Sequence, residues 1–104
     1  MGSNDRSSWD DGKCARNLVG HGYDFANLEE IFDGRLVVER VDRRNDYGES
    51  RFNALVEFDG QIINVTYTPR DGKARITSAR RASKGERRTY HDRQVQEKPA
   101  SRRP

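Results

Sequence analysis

The sequence predicts an α+β fold in which helices pack on an antiparallel sheet. Three observations favour it: apolar residues recur at helical spacing in the first third, the period becomes two residues from Leu36 onward, and Asp-Gly pairs separate the alternating segments. The order helix, helix, strands, helix predicts two layers, with helices covering one face of a sheet of three to four main strands. A charged content of 36% allows only a small core.

The first third predicts two N-terminal helices after a polar segment. Residues 1–8 are expected to be a disordered N-terminus, and Trp9 is expected to be a core anchor or part of a short edge strand. Asp10 is a suitable N-cap for a helix over about 11–20, which ends at a glycine pair around His21. Its apolar stripe is predicted to be Cys14, Ala15 and Leu18. Asp24 caps a second short helix, whose apolar residues are Phe25, Leu28, Ile31 and Phe32.

The middle of the chain alternates with the two-residue period of strands. Two-residue turns are predicted at Asp59-Gly60 and Asp71-Gly72, because Asp-Gly pairs suit tight hairpins. Together with the alternation they predict a three-stranded meander and a fourth strand before it. The predicted strands are Leu36–Val41, Arg51–Phe58, Gln61–Thr68 and Lys73–Ala79.

A third helix is predicted after the meander. Ser83 and Glu86 have capping-box spacing, so the helix should begin there and run to about Arg93 with Tyr90 on its buried side. Residues 94–104 lack apolar periodicity and are predicted to be a flexible basic tail. A single domain is therefore expected over residues 9–93.

Positive charge is concentrated at the C-terminal end. Residues 69–104 hold twelve Lys and Arg against four Asp and Glu, a surplus of eight, whereas the whole chain carries a net charge of +3. Such a block attracts polyanions, although a solvated surface with a basic tail has the same composition.

Several classes of protein are excluded by what the sequence lacks. It contains no Walker loop, no GxGxxG and no zinc-ligand spacing, so no metal and no cofactor are expected. No segment has the length and apolarity of a signal peptide or membrane span. The single cysteine, Cys14, is expected to be a structural thiol, and the chain is expected to be cytoplasmic, with no membrane partner.

Charged residues are predicted to gather at one edge of the sheet. Alternation places Arg75, Thr77 and Ala79 on one face and Ile76 and Ser78 on the other. Glu49 and Arg51 begin the neighbouring long strand of the meander, and the start of that strand is expected to meet the end of the last strand, at Arg80 and Arg81, around one concavity. RNA cleavage through the ribose 2′-OH needs groups that move protons and cations that stabilise the transition state. The alternative is that these residues form ion pairs on the sheet surface.

Other residues have two interpretations each. His21 could exchange protons near neutral pH, or it could fix the loop between two glycines. Tyr67 and Tyr90 could stack on bases, although packing in the core is the simpler role for both.

Local motifs across residues 9–92 together resemble the BrnT toxin family. The opening matches W-D-x-x-K-x-x-x-N-x-x-x-H-G-x-x-F from Trp9 to Phe25, and Phe32-Asp33 matches the end of the next helix. Glu49-x-Arg51 matches an E-x-R at the start of a strand. The segment from Arg75 to Ala82, with Glu86 and Tyr90, matches R-I-x-S-A-R-x-A…E…Y. Gly20 departs from the family, which usually has a basic residue there.

The resemblance implies a RelE-like ribonuclease toxin of a type II toxin–antitoxin system, which inhibits translation by cleaving mRNA. It also implies a BrnA-type antitoxin that binds operator DNA and neutralises the toxin, so that DNA contact occurs only through the antitoxin complex. Under this interpretation Arg51, Arg75 and Arg80 contact phosphate and the transition state. Lys13, Glu49 and His21 are the candidates for proton transfer. RNA docking is assigned to Arg81, Lys84, Arg87 and Arg88.

Two other functions remain open from the sequence. A non-catalytic nucleic-acid-binding or corepressor module predicts salt-dependent binding without cleavage. A plain interaction domain with a solvated basic face predicts no RNA binding at moderate salt.

Overall fold

A computed structural model of the chain describes residues 1–41 and 50–97, without the side chain of Glu97. Six strands form one sheet in the order β1-β2-β6-β5-β4-β3, in which only the β2–β6 pair is parallel. The α+β class is confirmed, and the sheet has two more strands than the largest number predicted. The elements are β1 (Gly2–Ser3), β2 (Ser7–Trp9), α1 (Asp11–His21), a 3₁₀ helix (Phe25–Phe32), β3 (Val37–Val41), β4 (Phe52–Phe58), β5 (Gln61–Arg70), β6 (Lys73–Arg81) and α2 (Lys84–Glu97).

The N-terminal segment belongs to the sheet, so the prediction that residues 1–8 are disordered is wrong for β1 and β2. Trp9 is 8% exposed and pairs with Ile76 of β6, which confirms it as both a core anchor and part of a strand. Ser7 is fully buried, and its hydroxyl donates to Asn4 Oδ1 at 2.7 Å. Strand pairing satisfies the backbone here, which a hydropathy pattern does not register. At the other end α2 passes the predicted boundary at residue 93, and residues 98–104 lie outside the described part.

The two N-terminal helices begin at the predicted caps. The 3₁₀ helix buries residues that were predicted to be apolar contacts, whereas α1 does not. Asp10 accepts from Lys13 N and Asp24 from Ala26 N. The buried residues Phe25, Leu28 and Ile31 recur every three positions, which is the period of the observed 3₁₀ helix. The predicted stripe of α1 is wrong: Leu18 is 46% exposed, Ala15 is exposed and Cys14 is half-buried. The buried residue of α1 is Asn17.

Both predicted turns of the meander are present. Asp59 and Gly60 have φ of 52° and 79°, and Asp71 and Gly72 have φ of 55° and 78°. Positive φ at both central residues is the type I′ pattern, whose twist matches that of the flanking strands. The confirmed turns set the pairing of β4 with β5 and of β5 with the first residues of β6, and these three strands together carry most of the core.

The helices cover opposite faces of the sheet, so the prediction that they share one face is wrong. On the first face the 3₁₀ helix packs on a core that includes Val56, Ile63 and Val65. On the second face Tyr90 of α2 packs with Leu55, Ile62, Val38 and Ala82. The apolar residues at odd and even positions of β4 and β5 explain this, because neighbouring residues of a strand point to opposite faces. Within the described residues, no helix has the length and apolar character of a membrane span.

Candidate functional site

Where β6 pairs with β5, residues 73–81 of β6 lie opposite residues 63–70 of β5, so β6 has one extra residue in the paired segment. Tyr67 of β5 pairs with Ile76 and Thr66 pairs with Ser78, so Thr77 has no opposite residue and forms a β-bulge. Ile76 and Ala79 consequently both enter the first core. The predicted alternation, with Arg75, Thr77 and Ala79 on one face and Ile76 on the other, is therefore wrong.

The bulge places Arg75 and Arg80 on the same face of the sheet. Residues five apart in a regular strand point to opposite faces, but the extra residue reverses this relation. Arg80 pairs with Asn64 and Arg75 with Thr68, and Asn64 and Thr68 lie four residues apart on β5. The two arginines are thus separated by about 13 Å along the strand direction.

Arg51 joins Arg75 rather than Arg80, contrary to the prediction. It precedes Phe52, which pairs with Tyr67, which in turn pairs with Ile76. Because the outer strands of a meander run parallel, the start of β4 lies near Arg75, whereas the end of β6 lies at the other end of β4. Arg51 and Arg75 are two strands apart, about 10 Å. We call Arg51, Arg75 and Arg80 the cationic face.

Arg80 is held in a fixed orientation by Glu86 of α2. Its Nη1 and Nη2 donate to the two carboxylate oxygens at 2.9 and 3.0 Å, a bidentate pair. Glu86 also accepts from Asn64 Nδ2 at 2.9 Å and from Ser83 N at 2.9 Å. The capping box predicted for Ser83 and Glu86 is confirmed, since Glu86 N donates to Ser83 Oγ. The cap that begins α2 therefore also orients the guanidinium of Arg80.

The Glu86 carboxylate is strongly stabilised in its charged form. The hydrogen bonds from Arg80, with smaller contributions from Ser83 N and Asn64, lower its pKa to about 2, although desolvation opposes the shift. Its side chain is 16% exposed, whereas that of Arg80 is 40% exposed. Glu86 is thus a half-buried anchor, and the side chain of Arg80 stays more accessible beside it.

Lys13 and His21 line a second feature, a shallow cleft of about 280 Å³ between α1 and the bulge. Arg16, Asn17 and Thr77 complete its lining. Lys13 and His21 are both exposed, and His21 is the last residue of α1. The structure thus brings two of the predicted proton-transfer residues together beside the residue that sets the geometry of β6.

Asn17 fixes α1 against the edge of β6. Its Oδ1 accepts from Ala79 N at 3.0 Å and its Nδ2 donates to Tyr23 O at 2.9 Å. The side chain is buried and uses both ends of its amide, so its role is to position the helix rather than to contact a ligand.

Asp10 lies close both to a residue of the cleft, Lys13, and to a residue of the cationic face, Arg75. The pKa of Asp10 is lowered, first by the hydrogen bond from Lys13 N and then by the positive charges of Lys13, Arg16 and Arg75, against a desolvation effect. Lys13 and Arg75 therefore lie within electrostatic range of one carboxylate. Arg75 also contacts the N-terminus, with its Nη1 3.6 Å from Met1 Sδ.

The four residues predicted to dock RNA fall into two groups. Arg81 and Arg87 line a cleft of about 310 Å³ between α2 and the β4–β5 turn. Lys84 and Arg88 are exposed on α2 outside that lining. Arg81 lies one residue after Arg80 and does not share its concavity, which corrects the prediction of one gathered cluster.

Two cations of this region were not predicted. Arg16 stands one helical turn after Lys13, a spacing that was visible in the sequence. Arg40 pairs with Asn53, whose Oδ1 accepts from Thr66 Oγ1 on the second face, so Arg40 extends the cationic side of the sheet. Its position depends on the β3–β4 register, which no local motif indicates. Glu49, the remaining proton-transfer candidate, lies outside the described residues.

The two tyrosines that could have stacked on bases, and the single cysteine, contact other residues of the fold. Tyr90 is 3% exposed, and Tyr67 stacks on Phe52 and donates to Glu39. Tyr90 therefore packs in the core, as expected, and Tyr67 is half-buried and packs against the first core. Cys14 Sγ lies 3.3 Å from Asp24 Oδ1, and burial raises the pKa of its thiol. Among residues 1–41 and 50–97, no group of three His, Cys, Asp or Glu side chains is placed to hold a metal ion.

The fold and the site define a small α+β domain whose sheet presents Arg75 and Arg80 on one face, and guanidinium groups are suited to phosphate oxygens. The family model for BrnT, the ribonuclease toxin of type II toxin–antitoxin systems, matches residues 9–86. The chain therefore belongs to the BrnT ribonuclease toxin family. Comparison with curated proteins finds no match. A type II toxin has an RNA substrate and a cognate antitoxin, which agrees with the predicted function.

Proposed function

We propose that the chain cleaves mRNA at the cationic face and thereby inhibits translation in the cytoplasm. The observation that carries this proposal is the bulge at Thr77, which turns Arg75 and Arg80 toward the same side. Bulges occur often beside active sites, where they re-aim side chains. Arg75, Arg80 and Arg51 then line one side of the sheet, along which an RNA strand can lie with its phosphates near these cations.

The proposed chemistry is attack of the ribose 2′-oxygen on the adjacent phosphorus. A base removes the 2′-OH proton, the bond from phosphorus to the 5′-oxygen breaks, and an acid donates a proton to that oxygen. The products are a 2′,3′-cyclic phosphate and a 5′-hydroxyl. Lys13 and His21 are the proposed proton carriers in the α1 cleft, and Glu49 remains a candidate from the sequence.

The side chains of the site supply both functions that this reaction requires, so we propose cleavage that does not depend on a metal ion. The guanidinium groups carry permanent charge, which supplies the electrostatic stabilisation of the phosphate oxygens. The remaining docking residues, Lys84 and Arg88, would attract the RNA strand over α2. A RelE-like arrangement of the fold is part of the same proposal.

The partner in this proposal is a BrnA-type antitoxin that dimerises and binds operator DNA. Its complex with the toxin would keep RNA away from the cationic face. The chain itself would contact DNA only through that complex.

The test uses purified protein and an end-labelled RNA in the presence of EDTA. We expect cleavage of the RNA, a 2′,3′-cyclic phosphate on the upstream product, and no cleavage where the ribose before the scissile phosphate is 2′-deoxy. RNA that is bound with steep salt dependence but stays intact would instead favour the non-catalytic binding module.

A further inference from the structure

The cleft between α2 and the β4–β5 turn is separate from the cationic face. Arg80 and Arg81 are neighbours in β6, but Arg80 contacts Glu86 whereas Arg81 lines this cleft with Arg87. At the start of α2, Glu86 likewise contacts Arg80, whereas the next residue, Arg87, lines the cleft. The first turn of α2 therefore stands between the proposed cleavage site and the cleft.

The cleft has the size and the chemistry of a nucleotide site. Its volume of about 310 Å³ is at the lower end of the range for small-ligand pockets. Its two arginines can bind a phosphate group. Its amide and imidazole side chains can form hydrogen bonds with the polar edge of a base. The polar residues of the lining are Arg81, Arg87, His91, Gln94, Gln61 and Glu57.

Several of these side chains are held in place by the fold. Arg87 Nη1 donates to Ala82 O at 2.7 Å, which fixes the guanidinium at the end of β6. Gln61 Oε1 accepts from Tyr23 Oη at 3.1 Å, which directs its amide NH₂ away from Tyr23. His91 packs edge-on against Tyr90 with ring centroids 5.8 Å apart. Such restraint lowers the entropic cost of binding.

We propose that this cleft binds a nucleotide of the RNA that flanks the scissile bond, with its phosphate on Arg81 and Arg87 and its base toward Gln61 and Gln94. The inference rests on the proposed function, because the strand must run from the cationic face over the exposed start of α2. The carboxylate of Glu57 would accept a hydrogen bond from an amino group of the base. The cleft is thus a subsite for affinity and not for the cleavage chemistry.

The experiment measures binding of cleavage-resistant RNAs, with 2′-deoxyribose before the scissile phosphate, that are lengthened by one nucleotide at a time on either side. Fluorescence anisotropy at fixed salt gives Kd for wild-type protein, for Arg81→Gln and for Arg87→Gln. Lys73→Gln is the matched control, because Lys73 lies at the other end of β6, eight residues from Arg81 and about 25 Å away.

One lengthening step should improve the affinity of the wild type about tenfold, as expected for one charge-assisted contact. Arg81→Gln and Arg87→Gln should lose most of that gain, and Lys73→Gln should keep it. Thermal unfolding of each variant identifies any loss of fold, and Arg81→Gln is the variant less dependent on structural contacts, since its side chain is exposed.

The inference is overturned if no lengthening step improves wild-type binding, or if both variants keep the full gain. If both variants keep the full gain with RNA but bind a fluorescently labelled cognate antitoxin more weakly than the wild type in the same anisotropy assay, the cleft is a protein-binding site and the inference is overturned. Cleavage of the shortest all-ribose RNA by the wild type tests the proposed function independently of this result.

Discussion

The orientation of the Arg80 guanidinium gives a specific prediction about the rate of RNA cleavage. Its two terminal nitrogens are both bonded to Glu86, so its charge faces the sheet surface in one orientation. Lysine keeps the charge but cannot form the bidentate pair. We expect Arg80→Lys to lower kcat/KM for RNA cleavage by about 100-fold, the cost typical of losing one donor to a developing charge. The Lys73→Gln variant is the control, and near-wild-type kinetics for both would exclude Arg80 from the site.

Glu86 gives a prediction about stability and pH. In the folded chain its pKa is about 2, below the ordinary value of 4.5. Protonation therefore favours the unfolded chain, so the stabilisation is present above pH 4.5 and is lost as the pH falls toward 2. Urea denaturation should show that Glu86→Gln is less stable than wild type at pH 6 and that the difference narrows at pH 3. A difference that stays constant with pH would contradict the assignment.

At the scale of elements, α1 is attached to the sheet through Asn17. Truncation to alanine leaves Ala79 N and Tyr23 O, one of them deep in the structure, without their partners. We expect Asn17→Ala to lower the free energy of unfolding by about 1–3 kcal/mol. Asn27→Ala, at an exposed position of the 3₁₀ helix, is the matched control. Equal stability of both variants in urea denaturation would show that α1 does not depend on this contact.

The elements also show which features a sequence can specify. Caps and turns at Asp10, Asp24, Asp59-Gly60 and Ser83 were predictable, because each depends on residues within a few positions of one another. The bulge at Thr77 was not, since it follows from how β6 fits β5 and the core rather than from a local signal. That one residue decided which predicted site residues share a face.

The relative positions of site residues that are far apart in the sequence could not be predicted either. The motifs identified Lys13, His21, Arg75 and Arg80, but their mutual positions depend on the β2–β6 pairing and on α1 packing against the edge of β6. The position of α2 on the second face depends on apolar residues at alternate positions of β4 and β5. Such residues indicate burial on both sides of a sheet without indicating which helix covers which side.

For the whole molecule, membership of the toxin family predicts a phenotype in cells. Expression of the wild-type chain should arrest growth, and co-expression of its cognate antitoxin should restore it. Arg75→Gln with Arg80→Lys in one chain should be tolerated, because the first change removes one cation and the second removes the bidentate pair that orients the other. Arrest by the double variant at wild-type protein levels would separate toxicity from the cationic face.

Charge also governs how the whole molecule meets its substrate. Binding to single-stranded RNA should weaken steeply with salt, because bound Lys and Arg release counterions from the phosphates. Arg75→Gln with Arg80→Lys removes one positive charge from the cationic face, because lysine keeps the charge of Arg80, so it should reduce the slope of log Kd against log salt by the contribution of one contact. A slope unchanged in this double variant would place RNA elsewhere on the surface.

The most direct test of the central claim is the rate of RNA cleavage in EDTA by the wild type, by Arg75→Gln with Arg80→Lys, and by Lys73→Gln. Arg75 and Arg80 are expected to act on one RNA strand because the bulge puts them on one face of the sheet. We predict cleavage by the wild type and Lys73→Gln at similar rates, and a loss of at least about 100-fold in the double variant. Cleavage by the folded double variant at the wild-type rate would contradict the account.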